Sequence, residues 1–450
     1  MGITIEADNI VLLMDNYGED SKKLHTSFLQ AGKNYPVFVI EDDGFLPEGV
    51  TSVFGYFLGD FDNLEIVPGK PRYFNQITVP EYWEISANNS NGKVHELNKE
   101  RARIFYAEPK HKRLVKVVDW YDDRGVVRSS DHYNRFGALY ARTIFNSKGQ
   151  RINKSYFNAV GKEILMENYV TRDIILNDGD VVRIFKNKHE FATFALQKAG
   201  YAGYRVFFNT LSTSFFVSER LPENGKGDVL FWQEPIYEEI PGNMRLILNG
   251  TSTRTGKIMV QSEAAFQKLL ALGAPVEQIK KLGFIYPFKK ENLGRKEALI
   301  CTNSDNIAEL QTIVESLPEV HFSIAALTEM SSKLMGMDKY SNVSLYPGVK
   351  MKVLDELFER ADYYLDINHE SEIVSAVEKA FLHNQLIFAF RETLHNPRYV
   401  AEKHIFTKDR VNEFIIELKA VMGNSELLKE HLECQKEYAM LETKETYFGI

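Results

Sequence analysis

The sequence predicts an α/β protein: two Rossmann-like domains on parallel sheets, with an extended antiparallel β-sheet inserted into the first. Three stretches carry the prediction. Residues 361–390 read strand, loop, helix, strand, the repeating part of a parallel sheet. Residues 10–40 read strand, helix, strand. Between about 66 and 190 aromatic and β-branched residues become dense, and turn residues recur between them.

In the first domain, Ile10 to Met14 is an unbroken apolar run, typical of a strand buried on both faces. A polar loop, 15–20, follows. Leu24, Phe28 and Leu29 give a helical stripe that stops near Gly32. Residues 37–40 are a second strand. Gly18 stands alone, so a glycine-rich phosphate loop is missing. After the insert, 191–196 suit a helix, 205–209 and 229–232 strands, and 264–272 a helix. Gln233-Glu234-Pro235 leaves a strand, and Pro241-Gly242-Asn243 precedes an apolar run.

The insert has turn quartets at Asp122-Asp123-Arg124-Gly125, Asn146-Ser147-Lys148-Gly149, Asn158-Ala159-Val160-Gly161 and Asn177-Asp178-Gly179-Asp180. Their flanks, such as 115–120, 138–145 and 164–169, are strand-like. Hairpin sheets have edges and often one solvated face, which suits docking of a partner chain; packing on its own domain is the alternative. Lys99, Arg101, Arg103, Lys110, Lys112, Arg113 and Lys116 form a basic run opposed by Glu100 and Glu108. It reads as decoration that keeps a sheet soluble, in preference to a site for an acidic partner or membrane. No fixed-period internal repeat is expected from the sequence.

In the second domain, 298–302, 320–325 and 342–346 are strands, the last ending in Pro347-Gly348. Residues 307–317 and 354–361 are helices. Tyr363, Leu365 and Ile367 make a strand. Ile373, Val377 and Phe381, with Val374, share one face of a helix. Residues 386–390 are a strand, and 424–447 a charged helical tail. The expected domains are 1–65 with 191–288, the insert 66–190, then 289–430, with a tail at 431–450.

Net charge of −8 argues against nucleic acid as a partner. Two cysteines, Cys301 and Cys434, suggest no disulfide framework and fit a reducing cytoplasm. No signal peptide or membrane span is expected from the sequence, and the start matches a myristoylation signal poorly. HExxH and CxxC spacings are missing, as are a Walker loop and a GxSxG elbow, so no metal or cofactor is expected.

Longer stretches carry a resemblance: GFLPEGV (44–50), YFLGD (56–60), ERARIFYA (100–107), LVKVVDW (114–120), WQEPIYEEIPGNMRLIL (232–248), IAALTEM (324–330), YLDIN (364–368) and KHIF (403–406). The two-domain plan resembles the GT-B glycosyltransferases. With these stretches, the chain resembles the GtfB-type stabilising subunit of the bacterial pair that puts N-acetylglucosamine on serine-rich repeat adhesins. The resemblance implies a noncatalytic accessory subunit in a hetero-oligomer with the catalytic O-GlcNAc transferase, two copies of each. It also implies that the serine-rich repeat acceptor protein is bound, in the cytoplasm or on the cytoplasmic face of the membrane.

The donor half tests that expectation. Retaining GT-B enzymes commonly place an Arg and a Lys after its first strand, against the leaving diphosphate. Here the loop is Thr302-Asn303-Ser304-Asp305-Asn306. Asp305 would repel a diphosphate by about 4 kcal/mol per unit charge at 4 Å and an effective dielectric of 20. The next turn, 325–330, has no glycine. Glu370 and Glu378 keep the eight-residue separation of the family's two acids, but Ser371 and Ile373 replace its glycines. Alignment on the following strand moves the acid positions to Ser371 and Lys379. The alternative function is an active retaining glycosyltransferase using Glu370 and Glu378 with a nucleotide-sugar donor. His369-Glu370 is a candidate proton-transfer pair, though such loop neighbours are usually only solvated. Candidate acceptor-binding residues are Asn16, Tyr17, Asn243, Asn303 and Thr328 at strand-to-helix turns, with His369. Trp232 joins them: with Tyr237 it stacks on a ligand or packs at a domain edge.

Overall fold

The computed structural model describes residues 9–59, 61 and 68–450. The expected 65/66 boundary, the first eight residues and Asp60 of the YFLGD stretch lie outside them. The chain forms two compact units, Met1–His25 with Lys33–Lys281, and Thr26–Gly32 with Leu282–Ile450.

The first unit holds a seven-stranded parallel sheet. Its order is Ile279–Lys281, Thr255–Val260, Asp228–Trp232, Arg205–Phe208, Ile10–Met14, Val37–Val39, Val50–Ser52. Successive strands run outward in opposite directions from the pair Ile10–Met14 and Arg205–Phe208, so the strand order reverses between them. Thr255–Val260 and the helix Thr213–Arg220 were not expected from sequence. Fully buried Arg254 is matched by Asp228 at 2.8 Å. Asp228 also accepts from Ser218 Oγ at 2.6 Å and Val206 N at 2.8 Å, so the buried charges are satisfied.

The insert is a ten-stranded antiparallel meander, from Trp83–Ala87 to Val181–Phe185, with neighbours in chain order. It has the fixed period that the sequence reading missed. Asp122, Asn134, Asn146 and Asn158 open identical turns twelve residues apart, each closed by a glycine at positive φ. In each, the side-chain oxygen accepts two backbone N–H groups, as Asn146 does from Lys148 (2.9 Å) and Gln150 (3.0 Å). Gly125, Gly137, Gly149 and Gly161 have φ of 79°, 82°, 75° and 79°, the region where a side chain is strained. The last five strands share a core with the parallel sheet: Tyr156 stacks on Phe54, and Leu165, Leu176 and Phe185 join them. The first strands have a core of their own, in which Ile77 covers Val94, Ala102, Ile104 and Val118.

The second unit has a six-stranded parallel sheet, ordered Val343–Tyr346, His321–Ala326, Glu297–Thr302, Tyr363–Asp366, Leu386–Phe390, Ile405–Phe406. Alternate residues enter opposite layers, Ala298 and Ile300 one core, Leu299 and Cys301 the other. Two helices start later than expected. One runs Leu310–Ser316. The other begins at Ala376, not Ile373, because Val374 and Ser375 take φ of 48° and 49°, a left-handed corner that helix cannot continue through. Ile373 still packs in the core, which is why its spacing read as helical. The expected 430/431 boundary falls inside the helix Ser425–Tyr438.

Candidate functional site

In open α/β sheets, ligands bind beyond the strand C-termini where strand order reverses. Each unit has one such mouth. In the second unit it lies between Glu297–Thr302 and Tyr363–Asp366, flanked by loops 303–309 and 367–375. Those loops are tied to each other. Ala308 N donates to Ile367 O at 2.8 Å, and His369 N to Asn306 O at 3.0 Å. Thr302 Oγ1 donates to Asn368 Oδ1 at 2.8 Å, and Asn368 Nδ2 donates to Asn303 Oδ1 at 3.4 Å. The backbone N–H groups of Ala308 and His369 are therefore already paired within the protein and are not free for a diphosphate.

A cation stands at this mouth, but it is committed. His395 Nδ1 lies 2.6 Å from Asp366 Oδ1, and Nε2 lies 2.5 Å from Glu370 O. The bond to Asp366, partly opposed by burial, raises its pKa to about 9. Both ring nitrogens then donate, so the imidazolium braces the 367–375 loop internally.

Glu370 and Glu378 do not form a pair on one helix. Glu370 is exposed in the loop, and Glu378 lies in the first turn of Ala376–Leu382. Glu378 accepts from Tyr399 Oη at 2.9 Å, and Tyr399 itself is buried. Glu378 thus serves a buried tyrosine, while Glu370 lies in solvent. Asn303 is exposed and His369 half-buried at the same mouth; Thr328 is exposed on the neighbouring loop, where its carbonyl accepts from Gly348 N at 2.9 Å.

In the first unit the mouth lies between Ile10–Met14 and Arg205–Phe208. Asn16 is exposed there; its Oδ1 accepts from Gly18 N at 2.9 Å and its carbonyl from Ser21 Oγ at 2.7 Å. Tyr17 Oη meets His25 Nδ1 at 2.7 Å, and burial lowers the His25 pKa. Asn243 Nδ2 donates to Leu211 O at 2.9 Å, tying its helix to the neighbouring loop. Asn16, Tyr17 and Asn243 are therefore brought to loops about one mouth. Trp232 is not: it is 3% exposed and packed in the core, so its ring offers no stacking face. Tyr237, 74% exposed, does.

The sequence reading missed three amides at this mouth. Asn209, Gln233 and Gln261 each directly follow a strand and are linked in a row. Their sequence signal was an Asn or Gln immediately after a buried apolar run.

Most of the insert's basic run is charge-paired. Lys99 and Arg101 meet Asp123 at 2.8 and 2.7 Å, Arg103 meets Glu100 at 2.8 Å, and Lys116 meets Asp43 at 2.6 Å. Arg113 donates to Asn89 at 2.9 Å. Among the described residues, no group of His, Cys, Asp and Glu could hold a metal ion, and no helix is long and apolar enough to cross a membrane.

Comparison with known proteins adds to this geometry. Family models match at residues 11–57 (GtfB N-terminal domain), 83–186 (GtfB middle domain), 188–272 (GtfB third domain) and 298–435 (GftB/GlyA-F C-terminal domain). The UDP-N-acetylglucosamine–peptide N-acetylglucosaminyltransferase stabilizing protein GtfB of Streptococcus pneumoniae is 42% identical over 96% of both chains. That of Streptococcus agalactiae is 43% identical over 98% of both. A chain in the crystal structure of a GtfA/B complex bound to UDP and GlcNAc is 40% identical, with a TM-score of 0.90 over 97% of this chain and 98% of that one.

Proposed function

The chain belongs to the GtfB family of transferase-stabilising proteins, and from that premise we propose how its parts divide the work: the inserted sheet binds the catalytic subunit, and the chain's own strand ends hold the acceptor polypeptide. It is the noncatalytic, stabilising subunit of a peptide N-acetylglucosaminyltransferase. One observation carries the noncatalytic assignment at the level of residues. The loops of the second unit's donor-type mouth are hydrogen-bonded to each other, and residues 302–306 include no cation. An active transferase using Glu370 and Glu378 is disfavoured, because Glu378 is held by Tyr399 and Glu370 lies outside the helix.

In the proposed assembly, two of these chains join two catalytic chains at the cytoplasmic face of the membrane and act on a serine-rich repeat protein. Binding stabilises the catalytic chain by mass action, about 2.7 kcal/mol when this subunit is present at a hundred times the dissociation constant. A second acceptor site raises the effective concentration of a repetitive substrate.

The test is co-expression. The catalytic chain is expected to co-purify with this one and to gain soluble yield, while this chain alone leaves UDP-N-acetylglucosamine intact. Donor hydrolysis by the lone chain, abolished in Glu378→Gln, would overturn the assignment.

A further inference from the structure

The amide row of the first unit has a chemistry that its own hydrogen bonds do not exhaust. It starts on the helix Glu19–Gln30, where Ser21 Oγ accepts from Asn209 Nδ2 at 2.9 Å. The same Nδ2 donates to Gln233 Oε1 at 2.8 Å. Gln233 Nε2 donates to Asp20 O and to Gln261 Oε1, both at 2.9 Å. Asn209 and Gln261 are 5% and 3% exposed, while Gln233 is only half-buried. The buried pair therefore fixes the orientation of a side chain that reaches the surface.

One atom of the row is left over. Asn209 Oδ1 is buried and has no hydrogen-bond partner among the described residues. A buried carbonyl left unpaired is destabilising, because its hydration is lost with nothing in return. It sits at the mouth where strand order reverses, which is where such folds take ligands. The equivalent mouth of the second unit has its loops tied together instead.

We propose that this row reads the acceptor: Gln233 is the contact, Asn209 and Gln261 are its positioning residues, and the ligand is an extended polypeptide rich in Ser and Thr. The inference rests on the reading of this chain as the acceptor-binding subunit. Both Nδ2 hydrogens of Asn209 and both Nε2 hydrogens of Gln233 are already donated, so Gln233, the member that reaches the surface, has only oxygen lone pairs to offer. A matching ligand must donate, as hydroxyls and backbone N–H groups do. The loops around the row carry Asp15, Asp20, Glu234 and Glu238, with Glu19 and Glu239 ion-paired to Lys23 and Arg245; this acidic surround repels a nucleotide diphosphate and tolerates a neutral peptide. Tyr237, on the loop that Gln233 opens, supplies a ring face to the peptide's carbon skeleton.

The experiment is titration of the full chain with a synthetic Ser/Thr-rich peptide and with the same peptide carrying alanine for serine. The wild-type chain is expected to prefer the serine peptide. Gln233→Ala is expected to lower that affinity about tenfold, the worth of one to two hydrogen bonds, and to erase the preference. Tyr237→Ser is expected to weaken both peptides alike. A structural role alone would leave the preference intact, so an unchanged preference in a folded Gln233→Ala chain overturns the inference. Should that variant fail to fold, hydrogen exchange on the wild-type complex decides: protection of 209–212 and 233–238 supports it, and protection elsewhere only overturns it. A wild-type chain that binds neither peptide overturns the acceptor-binding reading itself.

Discussion

His395 keeps its proton because Asp366 and a backbone carbonyl flank both ring nitrogens, whereas His404 is stripped of its own by burial, with a pKa of about 3. The two pull stability in opposite directions. His395, raised to about 9 from an ordinary 6.5, stabilises fully below pH 6.5 and loses that contribution as pH climbs to 9. The unfolded chain protonates His404 near pH 6.5 but the folded chain does not, so stability falls from pH 6.5 down to 3. His132, lowered to about 3 chiefly by burial, adds to the acid limb. Thermal unfolding from pH 4 to 10 should therefore peak near 6.5, and His395→Gln should flatten the alkaline limb alone. Gly283 gives a second residue-level expectation. A Cβ there would stand 1.8 Å from the Met440 carbonyl, so Gly283→Ala should cost about 3 kcal/mol in denaturant titrations, the upper end for overpacking. At this scale the sequence was least legible. Trp232 ends a strand and invites a binding role, but it is core. The amides that do reach the first unit's mouth are 24 and 28 residues apart, and only strand pairing brings them together.

Strands and turns were far more legible, because burial on both faces leaves an apolar run and hairpins leave turn residues. The errors arose where one pattern has two causes. Ile373, Val377 and Phe381 all pack in one core, yet a left-handed corner separates the first from the helix. The twelve-residue period escaped because its fixed members are few, one Asx and one Gly per repeat, while the strand residues between them answer to different cores. The turns should act as equivalent modules. Asn146→Ala removes two side-chain-to-backbone bonds and should cost about 1–2 kcal/mol in chemical denaturation. Gly149→Ala has open space around it, with nothing nearer than Val126 Cγ1 at 3.9 Å, and should cost about 1–2 kcal/mol through backbone strain alone.

At the scale of the molecule, two Rossmann-like sheets and an inserted meander follow from the order of local patterns, but the insert's fusion to the first unit does not. Tyr156, Leu165 and Phe185 look like ordinary strand residues until their core partners Phe54 and Phe191 are known. On the opposite face, Ser155, Met166, Ile175 and Ile184 stand side by side across four strands. The outermost strand exposes Val181, Val182 and Ile184 by 50%, 63% and 58%. If the sheet docks the catalytic subunit there, Val182→Asp with Ile184→Asp should weaken co-purification about tenfold or more, while the melting temperature of the lone chain stays within a degree or two. Loss of solubility in the lone chain would instead mark the face as structural.

The repeat also limits how such a protein can change size. Successive turns lie at alternate ends of the meander, so the chain returns to its starting end only after two strands. Gain or loss of a single repeat would send the following helix off from the wrong end. Variation is confined to pairs of repeats, about 24 residues, each pair widening the sheet by roughly 10 Å. The insert is in that sense a ruler with coarse graduations. A relative with a longer or shorter one would set its two attachment points apart in whole steps, never by a fraction of one.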